Sequence, residues 1–426
     1  MTMESATGSA AGANRRQERV VVTGMGAITP LGNDAETFWS RLVRGESGIS
    51  VIDAFDTSRF KTRIAGIVRD FDAKERFGLK EARRMDRFSQ YALAAADQAL
   101  KHSGIDLEGI DKERLGVYVG SGIGGLQTLM DQHDVLRERG PDRVSPTLVP
   151  MMIANMAAAL ISIKLGALGS TLSPVTACSI GNTAIGEAFH HIQAGRADIV
   201  FAGGTDAAVA EISLASFSNA TALSTRHDEP AKASRPFDAC RDGFVIGEGA
   251  GILVLESLSH ALRRGATILA EVIGYGASSD AYHMVATHPE GDGAYRAMKT
   301  ALLDAGVRPD EVDVISAHAT STELGDKSET AAIKRLFGPA AYRIPVTANK
   351  SMTGHLFGAA GGVEAIALVK TLQTGIVPPT INQETRDSEC DLDYVPNKAR
   401  QANPTIGMSN SFGFGGHNAV IVLKKY

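Results

Sequence analysis

Short apolar runs, closed by small-residue turns and followed by helical stripes, recur from residue 19 to the end of the chain. The runs include "RVVVT" (19–23), "LGVYVG" (115–120), "ADIVFAGG" (197–204) and "GILVLE" (251–256), then "ILAEVIGYG" (268–276), "VDVISAH" (312–318) and "IPVTANK" (344–350). Between them, Ile180, Ala184, Ala188 and Ile192 fall on one helical stripe, and "DKSETAAIKRLFG" (326–338) and "GHLFGAAGGVEAIALVKTLQTG" (354–375) repeat the helical period. Alternation of this kind predicts α/β layers. Asp326 with Glu329 predicts a capping-box start, and Gly338 and Gly375 predict helix stops. A boundary near residues 260–270 divides the chain into halves of 19–265 and 266–426, which share the order strand, small-residue turn, helix, strand without a repeat detectable residue by residue.

The 426 residues, 44% hydrophobic and 21% charged, suffice for a large core, and a net charge of -5 gives no global attraction to nucleic acid or an anionic membrane. Residues 1–18 are small and polar and predict a disordered arm, and Arg15-Arg16 precede no apolar segment fit for an export signal. "LVPMMIANMAAALISIKLGAL" (148–168) is interrupted by Pro150, Asn155 and Lys164, so it predicts a buried core helix rather than a membrane span. Three cysteines without a C-x-x-C pair fit a reducing compartment and a cytoplasmic protein.

Cys178 sits between a strand pattern and a helix pattern, where helix-start N–H groups favour a thiolate and can bind an oxyanion. Taken alone it reads more readily as a small buried hydrophobe, because free cysteine is often buried. His318 ends the run "VDVISAH", and His355 stands at the start of a small-residue helix, the crevice where α/β sheets place chemistry. Lys350 adds a cation five residues before His355. The C-terminal "GMSNSFGFGGHNAVIVLKKY" holds a glycine-rich turn suited to close backbone approach or loop motion. Gly120-x-Gly122-x-x-Gly125 raises an NAD(P)-dependent oxidoreductase as an alternative. No acidic residue closes a following strand about twenty residues on, where a polar helical run and "RERGPDRVSP" stand instead.

Together "VVVTGMGAITPLG", "GSGIGG", "TAC", "ASRPFDACRDGFVIGEGAG", "AHATSTELGD", "NKSMTGHLFGAAGG" and "SNSFGFGGHN" resemble the β-ketoacyl-[acyl carrier protein] synthases of the thiolase superfamily, over residues 19–426. The resemblance implies a thiolase-like fold of two similar βαβαβαββ halves in a five-layered α-β-α-β-α core. It implies that Cys178 is the acyl-accepting nucleophile, that His318 and His355 promote decarboxylation, and that Lys350 orients the site with Glu364 behind it. It further implies an oxyanion hole from the N–H groups of Cys178 and Phe414, a gate of Phe412 and Phe414, and substrate contacts from Ile123, Thr320 and Thr322. The implied reaction is decarboxylative condensation of a cysteine-bound acyl chain with malonyl-[acyl carrier protein] in fatty acid elongation. The alternative is the ketosynthase subunit of a type II polyketide system beside a chain-length factor.

Neither metal nor resident cofactor is implied, because phosphopantetheine arrives on the carrier protein. That acidic partner would dock on Lys80, Arg83, Arg84 and Arg226, and a homodimer or heterodimer is expected. A degradative thiolase would need a second cysteine in the "SFGFGGHN" turn, and an initiating synthase an asparagine at His355. Departures from the family pattern stand at Ser179-Ile180-Gly181-Asn182, at Ala319 where the family keeps glycine, and at Thr147 and Leu148 where aromatics are common. They predict an altered acyl pocket, since one or two carbons change selectivity by roughly 1 to 3 kcal/mol.

Overall fold

Every residue of β1 (Val20–Ile28) is buried, as a strand with helices on both faces must be. The computed structural model describes residues 17–426. β1 is followed by β2 (Leu115–Gly120), β3 (Thr171–Leu172), β4 (Ile199–Ala207) and β5 (Glu248–Ser257) in the first half. The second half supplies β6 (Ala270–Ser279), β7 (Val314–Ser316), β8 (Val346–Thr347), β9 (Ile406–Gly413) and β10 (His417–Lys424). The ten strands lie in the order β8-β7-β9-β10-β6-β1-β5-β4-β2-β3.

Each half therefore has its own strands in the order third, second, fourth, fifth, first. The second strand pairs parallel with the third and fourth, and the fourth-fifth and fifth-first pairs are antiparallel, in both halves. This is the expected pair of similar halves, carried by topology where residue identity carries no repeat. The halves join through a short antiparallel seam, Val20 to Val272, Val21 to Glu271 and Val22 to Ala270.

Helices α1 (Arg87–Ser103) and α2 (Met156–Leu165) cover the outer face of the first half, and α4 (Asp292–Ala305) and α5 (Glu323–Phe337) that of the second. Helices α3 (Ile180–Gln193) and α6 (Ala360–Thr374) lie between the two halves of this sheet, completing five layers. Their first turns touch backbone to backbone. A Cβ on Gly181 would lie 2.4 Å from the Gly362 nitrogen, and one on Gly361 2.6 Å from the Asn182 nitrogen, so both positions require glycine.

The single buried helix expected over 148–168 is instead two helices, Leu148–Met152 and Met156–Leu165, because the chain turns extended at Ile153 (ψ 137). Val149, Ile163 and Leu168 are exposed. No helix among the described residues is long and apolar enough to cross a membrane. Of the expected N-terminal arm, residues 1–16 lie outside the described residues, whereas Glu18 donates its N–H to the Gln193 carbonyl at 3.2 Å.

Candidate active site

The chain leaves β3 and reaches Ala177 with φ +49, makes one 3-10 turn over Ala177–Ser179, and enters α3. Cys178 is thereby held in the first turn of a central helix, 7% exposed, with the backbone N–H groups of Cys178 and Phe414 directed at its sulfur. Burial pushes the thiol up to about 12, while the Lys350 charge pulls the other way. The resting Cys178 side chain is a thiol. Desolvation outweighs the helix-start effect that favours a thiolate.

His318 follows β7 and His355 precedes α6, and their rings stand 5.5 Å apart at 89°. Burial and the positive charge of Lys350 hold both imidazoles well below their ordinary range, so both are neutral near pH 7. Nδ1 of each ring is occluded without a partner, which leaves Nε2 to face the cavity. Lys350, 1% exposed, donates to Glu364 Oε1 at 2.5 Å, and burial raises the Glu364 carboxyl to about 7.

The loop carrying His318 is strained and strapped down. Ala319 and Ser321 have φ +29 and +70. Glu329 accepts from the N–H groups of His318 (2.9 Å) and Ala319 (2.8 Å) and from Asn410 Nδ2 (2.9 Å). Asp326 accepts from the N–H groups of Phe237 (2.8 Å) and Ser321 (3.2 Å), with Arg241 at 3.4 Å. Asp326 and Glu329 thus do not form the expected capping box. Helix α5 starts earlier, at Glu323, and both acids point from inside it toward the loop. Ala319→Gly is expected to stabilise the protein, because a non-glycine residue in this region costs roughly 1 to 3 kcal/mol, partly offset by the greater freedom of glycine when unfolded. Urea unfolding giving a lower midpoint for the variant would contradict this.

Over the sulfur lies the glycine turn. Phe412 is buried and Phe414 is 38% exposed. Gly415 and Gly416 take φ +79 and +76, a region that favours glycine. The Gly415 N–H donates to the Met284 carbonyl at 2.8 Å, and Asn418 Nδ2 donates to Asp280 Oδ1 at 2.7 Å, so the turn rests on the segment 280–284. Cys178, His318, His355, Phe357, Phe412 and Phe414 line a cavity of about 210 Å³. Thr320 and Thr322 stand on its wall with their hydroxyls 3.1 Å apart.

Ile123 packs in the apolar cluster around Cys178 but outside the lining of this cavity. Ser179, Ile180 and Asn182 do not line it either. Ser179 bonds the Thr176 carbonyl (2.8 Å), Ile180 wedges among Gly120, Gly204 and Gly358, and Asn182 bonds the carbonyls of Ser409 (2.9 Å) and Ala419 (3.2 Å). Lys80, Arg83 and Arg84 are exposed around the short helix Leu79–Ala82. Arg226 is half-buried and reaches the Cys240 carbonyl at 3.4 Å.

No cluster of metal-ligating side chains occurs among the described residues. In the Gly120–Gly125 turn, the N–H groups of Gly122 and Ile123 bind the Asp206 carboxylate at 3.0 and 3.2 Å, filling the place a dinucleotide pyrophosphate would need. That removes the oxidoreductase reading.

The family models "Beta-ketoacyl synthase, N-terminal domain" and "Beta-ketoacyl synthase, C-terminal domain" match residues 17–261 and 269–384. The chain belongs to the β-ketoacyl synthase family. This synthase is 50% identical to a 3-oxoacyl-[acyl-carrier-protein] synthase 2 of Synechocystis, over 97% of this chain and 100% of the relative. Among solved structures it resembles a type II polyketide ketosynthase in complex with its acyl-carrier protein, with 36% identity, a TM-score of 0.89, and coverage of 96% of this chain and 100% of that one. The ishigamide ketosynthase/chain length factor has 38% identity and the same TM-score, again covering 96% and 100% of the two chains.

Sequence reasoning did not find the straps Glu329 and Asn410, the acidic residue Asp206, or the aromatic floor of Phe217, Phe244 and Phe357. Two acids three residues apart, Asp326 and Glu329, a short way beyond His318, were the available signal.

Proposed function

We propose that the synthase joins a Cys178-bound acyl chain to the two-carbon unit released from malonyl-[acyl carrier protein], giving 3-oxoacyl-[acyl carrier protein] in fatty acid elongation. The observation that carries this reading is the thiol at a helix start, beneath two backbone N–H groups, sharing one cavity with a neutral imidazole pair. The curated relative at 50% identity adds the substrate class.

The sulfur attacks the carrier thioester, and the carbonyl oxygen gains charge under the N–H groups of Cys178 and Phe414. Carrier thiol leaves with the proton lost by Cys178, and the acyl group stays on sulfur. Malonyl thioester enters, its carboxylate leaves as carbon dioxide, and the electron pair of that carbon–carbon bond becomes an enolate. The Nε2–H groups of His318 and His355 donate to the thioester oxygen, where that charge collects. The enolate carbon then attacks the acyl carbonyl and expels the Cys178 sulfur, which takes up a proton from the solvent. Neutral imidazoles suit this task because each arrives holding the proton it must offer.

Phosphopantetheine on the carrier would thread past Thr320 and Thr322, which line the cavity. An acidic carrier surface complements the exposed Lys80, Arg83 and Arg84, with Arg226 a lesser contributor because it is half-buried. Charge reversal at Arg83 and Arg84 is expected to raise KM for carrier-bound substrates roughly tenfold while leaving small thioesters unchanged. Equal effects on both would remove these residues from docking.

The exposed strand β3, beside exposed Leu168 and Val175, suits pairing with a second copy. Three unpaired cysteines suit the cytoplasm. The likeness to polyketide ketosynthases supports a second reading, action beside a chain-length factor. Incubation with acyl and malonyl carrier proteins, followed by mass measurement of Cys178 and of the products, tests both. A product formed by this chain alone favours the homodimer, and absence of acyl mass on Cys178 rejects the mechanism.

A further inference from the structure

The turn that opens α3 at Cys178 has a twin in the second half. Ala177 (φ +49) and Phe357 (φ +50) take the same left-handed conformation. Each begins a 3-10 turn, Ala177–Ser179 and Phe357–Ala359, and each leads into a central helix. Cys178 thus corresponds to Gly358. Where the first turn directs its N–H at the thiol, the Gly358 N–H donates to Asp206 Oδ2 at 2.7 Å.

Asp206, at the end of β4, is wholly buried. Its remaining donors are Ser121 Oγ at 2.6 Å and the N–H groups of Gly122 and Ile123 at 3.0 and 3.2 Å. Asp206 takes part in no salt bridge among the described residues; burial raises its carboxyl and these four donors pull it back. The carboxylate is an internal anion in a nest of backbone N–H groups, the arrangement that elsewhere receives phosphates and oxyanions. A Cβ on Gly358 would stand 2.8 Å from Oδ2 and 3.2 Å from the Gly122 nitrogen, so no side chain can stand where the first half has its cysteine.

We propose that Asp206 is a positioning residue, a built-in anion that fills the second half's counterpart of the oxyanion hole and locks the two substrate sides of the site together. Through Gly122 and Ile123 it holds the apolar wall beside Cys178. Through Gly358 it holds Phe357, whose ring packs on His355 at 4.9 Å and stacks on Phe217 at 5.4 Å. The role depends on a carboxylate. An asparagine offers one acceptor oxygen and turns an N–H₂ toward N–H donors, leaving buried groups unpaired. Glutamate carries an extra methylene into a space closed by Gly122 and Gly358. The inference rests on the roles proposed above for Cys178 and His355.

Asp206→Asn is expected to lower condensation kcat by about tenfold or more, because small misplacements of reacting groups cost up to roughly 10² in rate. KM for the carrier protein should stay within about twofold, as the variant removes no docking contact. Product chain lengths should broaden, and the pH profile of Cys178 alkylation by iodoacetamide should move to lower pH, since a negative charge that disfavours the thiolate is gone. Asp206→Glu should not rescue. Unchanged kcat and chain lengths would overturn the proposal. So would a rate loss with chain lengths and the alkylation pH profile both unmoved, in a variant that keeps a cooperative urea transition. If Asp206→Asn does not fold, Ser121→Ala removes the shortest donor and keeps the carboxylate; it should repeat the rate loss and the broadened chain lengths in weaker form, and wild-type behaviour there overturns the idea. Wild-type protein that never gains acyl mass on Cys178 refutes the underlying mechanism instead.

Discussion

Replacing Cys178 with alanine is expected to cut condensation by about 10⁴-fold or more, because no other group in the cavity can store the acyl chain. The half-reactions should separate. Cys178→Ala keeps both imidazoles and Lys350 and is expected to go on releasing carbon dioxide from malonyl-[acyl carrier protein]. His355→Ala keeps the sulfur under its two N–H groups, so it should still gain acyl mass while decarboxylation falls by roughly 10² to 10⁴. Mass spectrometry of the protein and measurement of released carbon dioxide read the two steps independently. Loss of both half-reactions in both variants would mean that the cavity does not divide its labour between sulfur and imidazoles.

Lys350→Met is expected to destabilise the fold by about 3 to 5 kcal/mol, because it leaves the Glu364 carboxylate buried without its cation. The loss has a definite pH dependence. Burial already raises Glu364 from its ordinary value of 4.5 to about 7, and removing the lysine raises it further. Over that window the folded state binds more protons than the unfolded state, so stability falls as pH rises through the folded value. Urea unfolding should show a larger penalty at pH 8.5 than at pH 6. The paired change Lys350→Met with Glu364→Leu should restore most of the loss, since no orphaned charge remains. A double variant as unstable as the single one would show that Glu364 is not the source. Lys350 also holds down both imidazoles, so the acid limb of decarboxylation should move to higher pH in the single variant.

Much of this is legible in the sequence. Strand runs such as "RVVVT" and "GILVLE" announce their burial through composition, and the small-residue turns after strands marked Cys178, His318 and His355. What the sequence concealed is long-range. Glu329 reads as a helix cap until the fold brings Asn410 and the 318–319 amides onto it. The Gly120–Gly125 turn reads as a phosphate cradle until Asp206, from a different strand, fills it. Ile180 and Asn182 read as pocket residues by their nearness to Cys178, yet in a helix neighbours point apart, and these two face glycines and the opposite sheet. Helix propensity also misled at 148–168, where the overall apolar content is high but the chain breaks at Ile153.

The seam of β1 with β6 and the glycine crossing of α3 with α6 make the protein a dimer inside one chain, and the reacting groups are dealt unequally between its members. One half supplies the Cys178 sulfur, and the other supplies the His318 and His355 imidazoles, Lys350 and the Phe414 amide. Under the proposed mechanism neither half completes a catalytic cycle alone. A chain cut between residues 264 and 268 would report reunion of its fragments by recovered condensation, which makes the synthase a natural split reporter of its own folding.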